Sequence, residues 1–385
     1  MGELTLGVVG TSRKPDERRV PIHPRHLERI EPGLRARMVV ERGYGIRFGV
    51  PDDLIAGLVG RMAERAEVVA STDVVLLPKP QLDDIRAMRD GQVLWGWPHL
   101  VQDSELTQLA IDRKLTLIAW EAMNHWASDG SFGVHVFHMN NEMAGYCSVL
   151  HAMAQVGSTG HYGRHLRAAV IGFGNTARGA VAGLQALGVH DVVVLTQREV
   201  AAVAAPIPAV TLLHLEHTAE DPTRTAAWQE DGTRVPTAAL LASRDIVVNC
   251  VFQDTDNPLM FVTEEDLGLF APGHLIVDVS CDAGMGFEFA RPTSFREPLI
   301  EVAPAIHYYG VDHSPSYLFD SATWMISEAL LPLLGTVMAG PDSWQASDTI
   351  RLAIEVDRGV IQNPKILSFQ RRSQIHPHDI HVEQG

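Results

Sequence analysis

Residues 168–199, AAVIGFGNTARGAVAGLQALGVHDVVVLTQRE, constrain the fold more than any other stretch of the chain. An apolar strand runs into the turn GFGNTA, and Ala177, Ala180, Val181, Leu184 and Leu187 then recur at helical spacing. Gly188 ends that helix, and DVVVLT follows as a second strand. Gly172 and Gly174 permit a tight turn and the close approach of backbone to a pyrophosphate, with Ala177 where a third glycine often stands. The helix start at Asn175 and Thr176 offers unpaired N–H groups and a positive dipole to a phosphate. Between a strand and a helix, this pattern points to a dinucleotide site.

The end of the second strand bears on which dinucleotide. A site for NAD closes with an acid that holds the ribose hydroxyls and repels a 2′-phosphate. Here the strand closes on neutral Thr196 and Gln197, and Arg198 follows, able to pair with a phosphate while stacking on adenine. Arg178, on the first turn of the helix, adds a second positive charge. NADP(H) is the expected cofactor; NAD(H) stays open if Arg198 is only a solvated loop residue.

Over 385 residues there is room for two domains, and 46% hydrophobic residues supply their cores. The net charge of -16 argues against nucleic acid and anionic membrane surfaces as partners. No apolar run of spanning length stands out, and the N-terminus lacks a basic segment ahead of an apolar core. Cys147, Cys250 and Cys281 are widely spaced, which fits a reducing cytoplasm and neither a disulfide frame nor a zinc site. The histidines of QIHPHDIHVEQG at the C-terminal end read as a solvated tail, and no metal is expected.

The first 140 residues alternate short apolar runs with amphipathic stretches, the pattern of a parallel sheet. LTLGVVG, ARMVVE, DVVLLP, QVLWGWP and LTLIAWE are the strand candidates; PDDLIAGLVGRMAERAE and DSELTQLAIDRK read as helices. A connecting helix over 141–156 and a glycine-rich loop lead to a second series: AAVIGF, DVVVLT, RDIVVNCV, HLIVDVS and HYYGVD. Residues 200–243 read as irregular, and SATWMISEALLPLLGTVM reads as an apolar helix that starts the return to the first domain. The expected architecture is two Rossmann-like, doubly wound parallel-sheet domains with a cleft between them. Residues 1–140 with 325–385 form a substrate domain, and 141–324 form the dinucleotide domain.

Polar residues gather where first-domain strands end, the edge at which open α/β sheets bind ligands. Arg13, Lys14, Arg18 and Arg19 follow the first strand, Lys79 the third, His99 the fourth and Glu121 the fifth. A lysine and a histidine can move protons, and arginine grips a carboxylate with two parallel hydrogen bonds. Glu121 either joins that site or caps a turn. In the second domain Asp278, Ser280 and Asp282 end a strand, where they either meet the cofactor or satisfy turn N–H groups. His313 is either a substrate contact or a hydrogen-bonding residue at the start of a helix.

These motifs resemble the superfamily of alanine dehydrogenase and lysine-forming saccharopine dehydrogenase. DERRVPIHP, VVLLPKP and GWPHL resemble its signatures for a substrate arginine, a lysine and a histidine, here Arg19, Lys79 and His99. VVNCV, VDVSCD and GVDHSPS resemble the saccharopine branch and bring Val251 into the cofactor set. SCDAGMGFEFARPTSF and YYGVDHSPSYLFDSATW are most similar to the N5-(carboxyethyl)ornithine synthases. The resemblance implies reduction of a C=N bond: a 2-oxo acid condenses with an amino-acid side-chain amine, and hydride then gives a secondary amine. It implies Lys79 and His99 as catalytic residues and Arg19, Arg18, Glu121 and His313 as substrate contacts. Oxidative cleavage of alanine or saccharopine, and reduction of a preformed imine or hydrazone in secondary metabolism, are the alternatives. A homo-oligomer is left open.

Overall fold

Strands form where short apolar runs leave no polar face to show to water, in β1 (Leu6–Val8), β2 (Met38–Glu41), β4 (Val74–Leu76), β5 (Val93–Gly96) and β6 (Thr116–Ala119), while β3 (Arg61–Ala63) is a partly exposed edge strand. The computed structural model describes residues 3–127, 129–197, 207–218 and 221–380. It divides into two compact units, Met1–His138 with Leu318–Gly385, and Met139–Tyr317. In the first unit the six strands run parallel in the order β3-β2-β1-β4-β5-β6. Both faces are covered: Val74 and Leu76 enter one apolar core, Val75 and Leu77 the other. Burial on both faces is why these strands read as continuous apolar runs rather than alternating ones.

The helix expected over 51–67 is instead a short helix, Asp52–Ala56, then β3, then a helix over Arg65–Ser71. A Cβ on Gly60 would lie 2.2 Å from the Ala36 carbonyl oxygen, so the chain passes there as bare backbone and pairs with β2. A hairpin of β7 (Asn124–Trp126) and β8 (Phe132–His135) precedes the helix His138–Gln155.

The second unit contains β9 (Arg167–Ile171), β10 (Asp191–Thr196), β11 (Thr211–Thr218), β12 (Asp221–Trp228), β13 (Arg234–Pro236), β14 (Ile246–Asn249), β15 (Met260–Val262), β16 (Leu275–Asp278), β17 (Gly286–Phe287), β18 (Leu299–Ala303) and β19 (Ile306–Tyr309). Among the described residues its main sheet has the order β13-β12-β11-β10-β9-β14-β16-β19-β18. Strands β11 to β19 of that list run parallel, so the third, second, first, fourth, fifth and sixth strands again stand side by side. This is the Rossmann order in both units.

Residues 200–243 are not irregular where described. Strand β11 joins the sheet parallel to β10, and β12 and β13 extend it as antiparallel neighbours. Alternation carried the signal: Leu213 and Leu215 are buried while His214 and Glu216 between them are not.

The return begins with the helices Phe319–Leu330 and Leu334–Ala339 and ends in β20 (Ile354–Asp357) and β21 (Val360–Ile361). Strand β20 pairs antiparallel with β6. The helical stretch Ser314–Ala339 is long and apolar enough, by length and composition, to cross a membrane. That differs from the sequence expectation, and the reason is visible: Ile326, Leu330, Leu334, Val337 and Met338 supply the first unit's core. Up to residue 380 the C-terminal histidine segment is exposed at most positions but anchored at His378. His378 is 1% exposed and accepts from the Ile361 N–H, and the buried Arg372 guanidinium binds Gln370, Gln108 and Ser104. The last five residues lie outside the described part.

Two helices of the second unit cross at glycines. A Cβ on Gly179 would sit 1.7 Å from the Glu142 carbonyl oxygen, and one on Gly145 would sit 1.9 Å from that of Thr176. Both obstacles are backbone, so neither can swing aside. Gly179→Val is expected to destabilise this unit by about 1–3 kcal/mol or more, as overpacking does. Thermal unfolding checks it: an unchanged midpoint would mean the crossing is not this tight.

Candidate active site and dinucleotide site

In each sheet the winding reverses between the first and fourth strands, which opens a crevice at their carboxyl ends. In the first unit this lies between β1 and β4. Glu41, at the end of β2, accepts from the N–H groups of Gly10 (2.7 Å) and Thr11 (2.9 Å). The unit's own carboxylate therefore occupies the backbone donors that a phosphate would seek. That accounts for the missing dinucleotide fingerprint in this half of the chain.

The other strand ends bring a lysine, a histidine and a glutamate into contact. Lys79, buried just after β4, hydrogen-bonds through Nζ to His99 Nε2. His99 turns its Nδ1 to Glu121 Oε1 at 3.2 Å, and its backbone N–H donates to the same oxygen at 2.9 Å. A lysine donor on Nε2 leaves the proton of a neutral imidazole on Nδ1, aimed at Glu121. His99 holds φ 50°, a left-handed conformation that this double contact keeps in place. Glu121 thus orients His99, a role its sequence position did not reveal.

Arg19 is buried, as is its partner Glu17. Nε and Nη2 of Arg19 donate to the two Glu17 oxygens at 2.8 and 2.5 Å. The Arg19 guanidinium lies 5.2 Å and the Lys79 ammonium 5.8 Å from the centre of the Trp97 ring, so one indole gathers both cations. Arg18, its neighbour in sequence, is exposed. Arg13 is drawn off to Asp84 at 2.8 Å, where Arg65 also binds at 2.9 Å.

Two carboxyls behind His99 are held above their ordinary range. Burial and the neighbouring Glu355 raise Glu121, and burial raises Glu355, which sits at a bulge of β20. Glu121 Oε2 is buried and takes no hydrogen bond among the described residues. Sequence reading missed Glu17, Trp97 and Glu355; only the DERR run hinted at the first.

The second unit carries the glycine turn and the strand ends expected to hold a dinucleotide. Gly172 has φ 109°, a conformation that favours glycine, and its missing side chain would meet the Cys250 carbonyl oxygen at 3.2 Å. Gly174 caps the helix Asn175–Ala186 without a side-chain hydrogen bond, and that helix has no acid in its first turn. Nothing lies within 4 Å of a Cβ built on Gly174. Open space, bare N–H groups and no competing acid fit a pyrophosphate. Asn175 and Thr176 begin the helix, Ala177 is buried beneath it, and the Arg178 guanidinium stands 5.1 Å from the Phe173 ring. Thr196 is buried at the end of β10 and Gln197 is exposed beyond it. Arg198 lies outside the described residues.

Asp278 is fully buried. Its Oδ1 accepts from Asn249 Nδ2 (3.0 Å) and the Cys281 N–H (3.0 Å), and its Oδ2 from the Tyr308 hydroxyl (3.0 Å). Asn249 Oδ1 in turn accepts from the Val251 N–H, and Ser280 donates its hydroxyl to the Val251 carbonyl. Asp278, Ser280 and Val251 therefore form one framework that fixes the two loops bordering the crevice. Asp282 is partly buried, which raises its carboxyl. His313 is buried, bonded to Asp312 Oδ1 at 2.7 Å and packed against Phe295, as suits a residue at the start of a helix. No metal-binding cluster of His, Cys, Asp or Glu occurs among the described residues.

Two Rossmann units, one open to a dinucleotide and one carrying a Lys–His–Glu group at its crevice, define a dehydrogenase-type oxidoreductase with a nicotinamide cofactor. Residues 8–141 match the alanine dehydrogenase/PNT N-terminal domain and 152–364 match the C-terminal domain, so the chain belongs to the alanine dehydrogenase/PNT family. It is 22% identical over 327 residues to an N(5)-(carboxyethyl)ornithine synthase of Clostridium botulinum, covering 82% of this chain and 89% of that one. It is 26% identical over 337 residues to an alanine dehydrogenase of Methanococcus maripaludis, covering 83% of each. Among solved structures, an L-alanine dehydrogenase superposes with a TM-score of 0.73 at 20% identity, over 95% of this chain and 98% of the other. A transhydrogenase from Sinorhizobium meliloti gives 0.69 at 20%, over 93% and 99%.

The Asp278 framework sets a pH dependence. Burial pushes this carboxyl up to about 7, far above its unfolded value. Below the unfolded value both states hold the proton and nothing is lost. As pH rises toward 7 the unfolded chain ionises first, so stability falls, by a few kcal/mol in all, and then levels off. Asp278→Asn is expected to flatten this decline. Unfolding midpoints measured from pH 4 to 8 check it; equal slopes for both proteins would rule out Asp278 as the source.

Proposed function

We propose that this enzyme condenses a 2-oxo acid with the side-chain amine of an amino acid and reduces the resulting imine with NADPH. The observation that carries the reading is the continuous Lys79–His99–Glu121 contact beside Arg19. A guanidinium has two hydrogen-bonding edges. Glu17 takes the one formed by Nε and Nη2, and the guanidinium charge held in place by that pair is what attracts the carboxylate of the oxo acid. Lys79 and His99 then exchange the protons of carbinolamine formation and of its dehydration, with Glu121 holding His99 in one orientation. The bound nicotinamide supplies the hydride. Asp282, on the dinucleotide unit, is a cofactor contact in this scheme. Arg18 and His313 remain outer contacts in this scheme.

NADPH is preferred because no acid ends β10: Thr196 and Gln197 are neutral, and Arg198 follows them in sequence. The likeness to N(5)-(carboxyethyl)ornithine synthases supports condensation over oxidative deamination of alanine.

NADPH oxidation, screened over pairs of 2-oxo acids and amines with product masses, tests the reaction. A product with the mass of a secondary amine is expected; turnover only with ammonia would replace condensation by amination. Lys79→Met and His99→Gln should each lower kcat by about two orders of magnitude, the usual scale for acid–base groups, with NADPH binding retained. Near-normal turnover in both would remove the catalytic assignment. Arg19→Ala should raise the KM for the oxo acid at least about tenfold, since a bidentate charged pair contributes a few kcal/mol, and leave that for NADPH unchanged.

A further inference from the structure

The feature that this reading does not use lies beside the end of β10, on the neighbouring strand. Thr196, the last residue of β10, pairs in register with His214 of β11. Strand β11 continues beyond that point to Thr218, so His217 stands three residues past the level at which β10 stops. Gln197, the first residue after β10, reaches across to it: Gln197 Nε2 lies 3.2 Å from His217 Nδ1. Both side chains are exposed.

The position has a meaning in this fold. The pyrophosphate takes the helix start after β9, and the adenosine ribose then crosses the end of the next strand, where specificity between the two cofactors is decided. In this chain that strand is β10, and among the described residues Gln197 and His217 meet at its end. With Gln197 donating to Nδ1, the neutral imidazole carries its proton on Nε2, on the opposite side of the ring from Gln197. The Gln197 amide holds the ring and has a second N–H to give. Together the pair presents donors where the acid of an NAD site would present acceptors.

The acid next to His217 in sequence, Glu216, does not spoil the arrangement. Glu216 alternates to the other face of β11, where its Oε2 accepts from Trp228 Nε1 at 3.1 Å and from Arg234 Nε at 2.9 Å. Those bonds hold the Glu216 carboxyl below its ordinary range and keep its charge compensated.

We infer that His217, held by Gln197, is a specificity-determining contact for the 2′-phosphate of NADP(H), extending the adenosine site onto a third strand. The inference rests on the proposed NADPH preference. It asks for a phosphate monoester on the ribose as its ligand, and His217 has no part in hydride or proton transfer.

Titration calorimetry on the whole protein tests it with three probes: NADPH, NADH and adenosine 2′,5′-bisphosphate. His217→Ala is expected to weaken NADPH and the bisphosphate about tenfold, the scale of one hydrogen bond to a charged group, while NADH stays within about twofold. Gln197→Ala should reproduce part of the effect, because it frees the ring. Retained NADH binding doubles as the check that the variant is folded. If wild type binds NADPH more tightly than NADH and His217→Ala leaves the ratio unchanged, this contact is wrong and the cofactor reading stands. Equal weakening of NADPH and NADH would make His217 a structural residue and overturn the inference. Tighter NADH binding by wild type would overturn the cofactor reading and this contact together.

Discussion

A parallel sheet wound outward in both directions from its first strand leaves backbone N–H groups and strand ends facing the same crevice, and everything this protein offers a ligand derives from that reversal. Both units obey it, with β1 beside β4 and β9 beside β14. They differ in what fills the space. In the first unit Glu41 satisfies the backbone donors after β1, which removes a phosphate site and leaves the crevice to side-chain chemistry. In the second, Gly172 and Gly174 keep the equivalent place empty of side chains, and the helix N-terminus is left for an anion. One fold, used twice, yields two different crevices because a glutamate stands at one strand end and glycines at another.

The first crevice is also an arrangement of buried charges that depend on one another. Two cations share the face of Trp97, and each is answered by an acid, Glu17 directly on Arg19 and Glu121 through His99 on Lys79. An ammonium and a guanidinium left unpaired at this depth would be costly, so the acids are a condition of the site existing at all. Glu355, delivered by the returning strand β20, adds a further carboxyl near Glu121. The C-terminal return thus contributes to the electrostatics of residues encoded near the start of the chain.

The amino-acid sequence by itself determined the parts that depend on local pattern. The apolar runs became β1, β2, β4, β5 and β6, the glycine turn became the start of the helix Asn175–Ala186, and Lys79, His99 and Glu121 already stood at strand ends. Locally coded features of this kind are legible because a residue's period and its neighbours are enough to decide them. Alternation in residues 211–216 was equally local and still went unread, because the polar positions of β11 gave it the look of a loop.

Tertiary structure decided the rest. Gly60 breaks an otherwise convincing helical pattern because another segment's carbonyl occupies the space of its side chain, a fact held 24 residues away at Ala36. The Arg19–Glu17 pair, the Lys79–His99 contact and the Asp278 framework each depend on which strand lies next to which. Strand order is settled by the burial of both sheet faces and not by any short stretch. His378 and Arg372 make the same point at the C-terminal end, where long-range partners bury these two side chains within an otherwise exposed stretch. A side chain's type fixes the chemistry it can perform; its partners, brought from distant parts of the chain, decide whether it is a tool, a strut or a counter-charge.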